Sequence, residues 1–232
     1  MTKIIRTPTG IINFDKICEG GFVKGSVNTI LGGPGSGKTT FLLQYLWNGL
    51  TQFSENGAYI SFEPEISELL KDAEAYGWDF SKYIEKGKCQ FLRISPKITI
   101  NELKNFLSDL VLKHNIQRLC IDPITVFSIN IEKSSQIRET VFDFTNLLKK
   151  LDVTVILAEE TTEVSIDSLT VGSSIERTEY VKFLSDGIIN FYSMGLGGTT
   201  DRALRIPKMR RTNQKRGPIP FEITDSGIIV KK

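Results

Sequence analysis

Leu31-Gly32-Gly33-Pro34-Gly35-Ser36-Gly37-Lys38-Thr39-Thr40 is the stretch that decides how this 232-residue chain is read. From Gly32 to Thr39 it spells G-x-x-x-x-G-K-T, a phosphate-binding loop of the Walker A type. Glycines let the backbone take positive φ and curl, so that successive N–H groups of Gly32, Gly33, Gly35, Ser36 and Gly37 face phosphate oxygens around Pro34. Lys38 brings a compact positive charge to the β- and γ-phosphates, and the Thr39 hydroxyl can ligate Mg²⁺, with Thr40 following in the first helical turn. A helix beginning near Gly37 adds the positive end of its dipole. The flanks supply the required setting, because Ser26-Val27-Asn28-Thr29-Ile30-Leu31 reads as a strand and Phe41-Leu42-Leu43-Gln44-Tyr45-Leu46-Trp47 as a helix.

Outward from the loop, strand-like runs alternate with helical patterns. The runs are residues 57–62, 89–94, 117–122 and 153–158, the last followed by Glu159 and Glu160. Between them, residues 66–76 read as a helix stopped by Gly77. Asn101 is placed to cap a second helix carrying Leu103, Phe106, Leu107, Leu110 and Val111 on one face. Ser134-Ser135 is placed to cap a third, running through Leu151. Near-continuous apolar strands alternating with helices of this length predict an α/β fold, a mainly parallel sheet covered by helices on both faces. From Gly187 the pattern changes to short strands at 188–194, 204–210 and 221–230, read as C-terminal β-hairpins. Residues 1–25 form a lead-in with turn signals at Pro8, Gly10 and Gly20-Gly21, and no repeat or linker divides the chain, so 1–232 is expected to be a single domain.

Composition narrows the class. A net charge of +2 and 24% charged residues favour neither a nucleic acid nor a membrane surface as partner, and 40% hydrophobic content supports a large core. Cys18, Cys89 and Cys120 are odd in number and widely spaced, which argues against a disulfide framework or a zinc site. No signal-peptide core opens the chain and no run approaches roughly 18 apolar residues, so a cytoplasmic protein is expected.

Ligands of open α/β sheets bind beyond the carboxyl ends of the strands. Glu63, Asp122 and Glu159 stand at such ends. Asp122 is the candidate to hold Mg²⁺ alongside Thr39, with a turn or cap role as the plain alternative. Glu63 is the candidate general base for the water that attacks a γ-phosphate, its backbone restrained by Pro64. Glu65 competes for that role but is better read as a helix-start residue favoured by the dipole. Glu159 can sense a γ-phosphate through water or be a surface acid. In Lys208-Met209-Arg210-Arg211-Thr212-Asn213-Gln214-Lys215-Arg216, five of nine residues are cationic. Lys208 and Arg210 share one strand face, and the readings are a solvated edge, a phosphate contact made on a neighbouring subunit, or a nucleic-acid patch. Little aromatic interleaving weakens the last for stacked single strands. His114, the only histidine, reads as a surface residue at a helix end.

These residues together resemble the KaiC-like branch of the RecA superfamily of ATPases, the group that also holds archaeal RadA paralogs. Thr9-Gly10 with Phe14-Asp15, then Gly20-Gly21 and Lys24-Gly25-Ser26, is similar to the family's approach to its P-loop. Ile60-Ser61-Phe62-Glu63-Pro64 with Tyr76-Gly77-Trp78-Asp79 resembles its catalytic-glutamate segment, although family members often carry two consecutive acids where this chain has Glu63-Pro64. Asp186-Gly187-Ile188-Ile189, Lys208-Met209-Arg210, and Gly217 with Pro220-Phe221-Glu222-Ile223-Thr224 resemble its C-terminal hairpins. The resemblance implies a RecA-type P-loop NTPase core with the Glu159 strand between the two Walker strands. It also implies ATP and Mg²⁺ as cofactors, catalytic roles for Lys38 and Glu63, and homo-oligomers in rings or filaments. Lys208 and Arg210 match the family's K-x-R pair, which reaches the neighbour's γ-phosphate. Two further readings are an accessory protein binding single-stranded DNA or a recombinase, and a nucleotide-gated scaffold with negligible turnover. Against strand exchange, too few residues precede Thr7 for a recombinase's DNA-binding domain. Of the loops expected to hold DNA, near 127–140 and 161–180, the second is also poor in cations, with Arg177 before Tyr180 against Glu163, Asp167, Glu176 and Glu179.

Overall fold

The computed structural model describes residues 3–124, 134–161, 185–193 and 201–231, with the backbone alone described for 134–138. Residues 127–133 and 162–180 of the two loops considered for DNA lie outside the described residues. The lead-in segment contributes β1 (Arg6–Thr7), α1 (Phe14–Ile17) and β2 (Phe22–Val23), with β1 and β2 paired antiparallel. The main chain of elements is β3 (Val27–Gly32), α2 (Lys38–Gln52), β4 (Gly57–Ser61), α3 (Ile66–Ala75), α4 (Ser81–Glu85), β5 (Cys89–Arg93), α5 (Ile100–His114), β6 (Arg118–Asp122), α6 (Ser134–Lys150) and β7 (Thr154–Glu160). The tail is β8 (Gly187–Ser193), β9 (Arg202–Met209), β10 (Ile219–Thr224) and β11 (Gly227–Val230).

Among the described residues one nine-stranded sheet has the order β11-β10-β9-β8-β3-β7-β6-β4-β5. From β8 to β5 the strands run parallel, and β9, β10 and β11 continue antiparallel. β7 lies between β3 and β6, the order the resemblance implied. The antiparallel tail is also present, but its first strand differs from the hairpin expectation. β8 pairs parallel with β3 and antiparallel with β9, so it closes the parallel sheet and opens the tail.

The sheet is buried on both faces, which is why its strands read as unbroken apolar runs. Side chains alternate between the faces. Leu119 and Ile121 of β6 and Val155 and Leu157 of β7 pack with Leu103, Leu107, Phe144 and Leu148 of α5 and α6. Cys120 and Ile156 point the other way, toward Phe41, Leu42, Tyr45 and Leu46 of α2. The tail folds back over that second face. Gln44 of α2 accepts from the Ile228 N–H at 2.7 Å and donates to its carbonyl at 3.4 Å, and Asn13 donates to the Val230 carbonyl at 2.9 Å.

Local rules explain most boundaries and correct one. Gly77, at φ 75°, stops α3 after its cap residue Tyr76. The expected cap of α5, Asn101, lies inside the helix. Thr99 is the cap instead: its hydroxyl accepts from the Glu102 N–H at 3.3 Å, while the Glu102 carboxylate accepts from the Thr99 N–H at 2.9 Å. This reciprocal capping box satisfies two otherwise orphaned donors. His114 does occupy the last turn of α5.

Candidate functional site

The loop after β3 has the conformation its glycines predict. Gly35 takes φ 70° and Gly37 φ 97°, and Gly37 is the residue from which α2 starts. A Cβ on Gly32 would sit 2.5 Å from Ser36 Oγ and 2.9 Å from the Phe191 carbonyl. Ser36 Oγ is buried and has no hydrogen-bond partner, a donor held inside the loop. Lys38 Nζ donates to the carbonyls of Gly32 at 2.8 Å and Gly33 at 2.9 Å, so the ammonium is carried within the same loop. Burial lowers the Lys38 pKa, opposed by the charges of Glu160 and Asp122. Pro34 and Gly35 form the exposed crest, and Thr39 and Thr40 begin α2 on its half-buried side.

Asp122 ends β6 beside this loop. Its Oδ2 accepts from Thr39 Oγ1 at 3.1 Å and from the Tyr59 hydroxyl at 2.6 Å. Asp122 is 6% exposed, and the two hydroxyls hold its carboxylate where it faces the start of α2. Glu63 follows β4, on the strand beside β6. Ser61 pairs in register with Asp122, and the Phe62 N–H donates to the Asp122 carbonyl at 3.0 Å, which brings exposed Glu63 just beyond the acid. Glu65 stands at the start of α3 without a side-chain cap bond, and its carboxylate pairs with Arg93.

The two acids of β7 separate by the period of the strand. Glu159, paired with Leu31, is 1% exposed and shares its parity with Val155 and Leu157, on the α5–α6 side. Glu160, paired with Gly32, shares its parity with Ile156 and Ala158, on the α2 side, and acts electrostatically on Lys38. Tyr59 and Glu160 are the residues here that sequence reasoning did not single out. The alternation from Cys120 to Asp122 and from Ile156 to Glu160 was the available signal.

Lys208 and Arg210 are not in this group. Lys208 pairs with Ile188 and Met209 with Gly187, which pairs with Asn28 near the amino end of β3. The pair therefore lies at the opposite end of the sheet from the loop, about five strand residues or roughly 16 Å away. Met209 is buried, Lys208 half-buried and Arg210 exposed, so the expected alternation is observed. Arg210 Nη1 is 3.6 Å from Asp186 Oδ1, which also pairs with Lys149 Nζ at 3.0 Å. Burial and the adjacent Arg210 lower the Lys208 pKa, while Asp186 opposes the shift.

The donor set at the loop fits phosphate and a hard divalent cation. It combines a curled glycine backbone, an inward ammonium, a buried hydroxyl without a partner, and a hydroxyl–carboxylate pair. With the loop on the third strand and the acid two strands away across a parallel sheet, the fold and site define a P-loop NTPase of the RecA type. The chain belongs to the KaiC family of ATPases, since the family model described as "ATPase: KaiC" matches residues 7–232. It is similar to the circadian clock oscillator protein KaiC of Synechococcus elongatus, 30% identical over 234 residues, covering 97% of this chain and 44% of that protein. The KaiC of Prochlorococcus marinus subsp. pastoris is 30% identical over 237 residues, covering 98% and 45%. The chain thus spans less than half the length of these relatives. A solved KaiC-like protein of Pyrococcus horikoshii OT3 superposes with a TM-score of 0.84 at 29% identity, covering 99% of this chain and all of that one. Among the described residues no helix is long and apolar enough to cross a membrane.

Proposed function

We propose that this chain is a Mg²⁺-dependent ATPase whose active site is completed by a second copy of itself. The observation carrying the proposal is the placement of its two halves. The phosphate loop, Asp122 and Glu63 stand at the carboxyl end of the sheet, and Lys208 and Arg210 at the amino end. A side chain cannot cross roughly 16 Å of packed sheet, which supports a neighbouring copy's loop, rather than the chain's own, as the phosphate site for the basic pair.

In this reading Gly32 to Thr40 bind the triphosphate of ATP, with Lys38 on the β- and γ-phosphates. Thr39 and Asp122 hold Mg²⁺, which when bound supplies charge neutralisation between the phosphates. Glu63 takes the proton of the attacking water. Lys208 and Arg210 of a neighbouring copy meet the charge that develops on the γ-phosphate, a contribution of about 10³–10⁵ in rate for an arginine finger. Glu160 opposes the loss of charge on Lys38 from the α2 side, whereas Glu159, the candidate γ-phosphate sensor, is buried and faces the α5–α6 side, so it is not a surface acid. Nucleotide state would then be coupled to assembly, because each nucleotide lies between two copies.

The test is mass measurement in solution without nucleotide, with ADP, and with a slowly hydrolysed ATP analogue, each repeated with single-stranded DNA. The reading expects a larger species with the analogue than without nucleotide. A monomer under every condition would contradict it, and a mass shift that needs DNA would favour the DNA-binding alternative.

A further inference from the structure

We propose that Tyr59 is a positioning residue for the divalent cation: its hydroxyl fixes the Asp122 carboxylate in the orientation that, with Thr39, receives the metal. The inference rests on the Mg²⁺ reading of Thr39 and Asp122 above and adds a group that the Walker motifs do not contain.

The geometry begins with strand alternation. Tyr59 pairs in register with Cys120, and Ser61 with Asp122, so Tyr59 and Asp122 share the α2 side of two adjacent strands, two positions apart. The phenol reaches across that diagonal and donates to Asp122 Oδ2 at 2.6 Å, a length typical of a charge-assisted O–H···O⁻ bond. Thr39 Oγ1 meets the same oxygen at 3.1 Å. A continuous path therefore runs from a core tyrosine through the acid to the first turn of the phosphate-loop helix.

The tyrosine is rigid. It is fully buried, and its ring stacks on Phe91 of the next strand with centroids 5.6 Å apart and planes 8° from parallel. A buried phenol needs some acceptor, so the bond alone can be a matter of satisfying Tyr59. The choice of acceptor decides otherwise. A carboxylate on a terminal sp³–sp² torsion turns freely unless bonded, and Tyr59 bonds the one acid placed over the Thr39 hydroxyl. Groups that hold a metal-ligating carboxylate characteristically change metal affinity by about 10–100-fold when removed.

The experiment uses Tyr59→Phe, which keeps the buried ring and removes one oxygen. Mn²⁺ binding to the ADP complex is followed by electron paramagnetic resonance, and ADP affinity is measured separately in excess chelator. We expect Mn²⁺ affinity to fall about tenfold or more while metal-free ADP affinity is unchanged. Equal Mn²⁺ affinity in the variant and the wild type would overturn the proposal. A parallel loss of both affinities would also overturn it, because that is the signature of a packing role. Thr39→Ala separates the underlying reading: if wild-type Mn²⁺ binding is indifferent to that change, the metal is not held at this site and both inferences fall.

Discussion

Gly49→Ala should destabilise the protein, although alanine is the better helix former. Gly49 lies inside α2, so by propensity alone the change would gain about 1 kcal/mol. The space decides against it. An added Cβ would lie 2.5 Å from Arg118 Cδ and 2.6 Å from Arg118 Nε. Arg118 cannot move aside: it is fully buried, and its guanidinium is bonded to Glu55 at 2.5 Å, the Tyr45 carbonyl at 2.9 Å and the Pro8 carbonyl at 2.8 Å. The rings of Tyr45 and Phe53 pack on it, at 4.5 Å and 5.1 Å. Overpacking costs about 1–3 kcal/mol, and losing one hydrogen bond to a charged group about 1.5–3 kcal/mol. Set against the helix gain, the net loss is about 1.5–5 kcal/mol, a fall in Tm of about 3–20 °C for a chain of this length. Thermal unfolding followed by circular dichroism reads it directly. A Tm equal to or above that of the wild type would show that Arg118 can yield and that this junction between α2 and β6 is not fixed as described.

Further outcomes follow from other parts of the molecule. Glu63→Gln should lower turnover at saturating ATP by about 10²–10⁴ with ATP affinity retained, and unchanged turnover in a phosphate-release assay removes Glu63 as the base. Burial raises the Cys18 pKa from 9.0 to about 12 and pushes Cys89 and Cys120 up as well. These thiols stay protonated in the folded state after the unfolded chain has begun to ionise. Their stabilising contribution is therefore full below about pH 9 and is lost as pH rises, by at most about 1.4 kcal/mol per thiol per pH unit. Urea unfolding should show lower stability at pH 10 than at pH 8, and equal midpoints would contradict the sign. Asp186 accepts from the Val27 N–H at 3.1 Å as well as pairing with Lys149 and Arg210, so Asp186→Asn should cost about 1–3 kcal/mol in the same assay. No change there would mean that the bonds of this carboxylate to Val27, Lys149 and Arg210 do not contribute to stability.

Features set by neighbouring residues were legible in the sequence. The phosphate loop, the acid ending β6 and the helical stripe of α5 each depend on a few nearby positions, and the described elements match them. Features set by distant residues were not. Nothing near Gly187 announces that β8 runs parallel to β3, because that depends on how the chain returns to the sheet. Arg118 reads as the charged start of a strand, yet its charge is matched by Glu55 and by carbonyls from Pro8 and Tyr45, far away in sequence. The cap of α5 was misplaced by two residues for a local reason: Asn101 and Thr99 are both good caps, and Glu102 three residues after Thr99 was the deciding signal. At the site, strand period divides Glu159 from Glu160, whereas the side shared by Tyr59 and Asp122 depends on the register of β4 against β6. The period could not show which of those side chains meet.

The central claim, that each ATP is served by two copies, is tested most directly by mixing Lys38→Ala and Arg210→Ala proteins. Each is expected to be nearly inactive alone, the first for want of its phosphate-loop lysine and the second for want of its donated arginine. In an equal mixture, random assembly joins an intact loop to an intact basic pair at about a quarter of head-to-tail interfaces, so activity should return to about that fraction of wild type. Absence of any recovery across a range of ratios, in mixtures shown to co-assemble, would contradict the account.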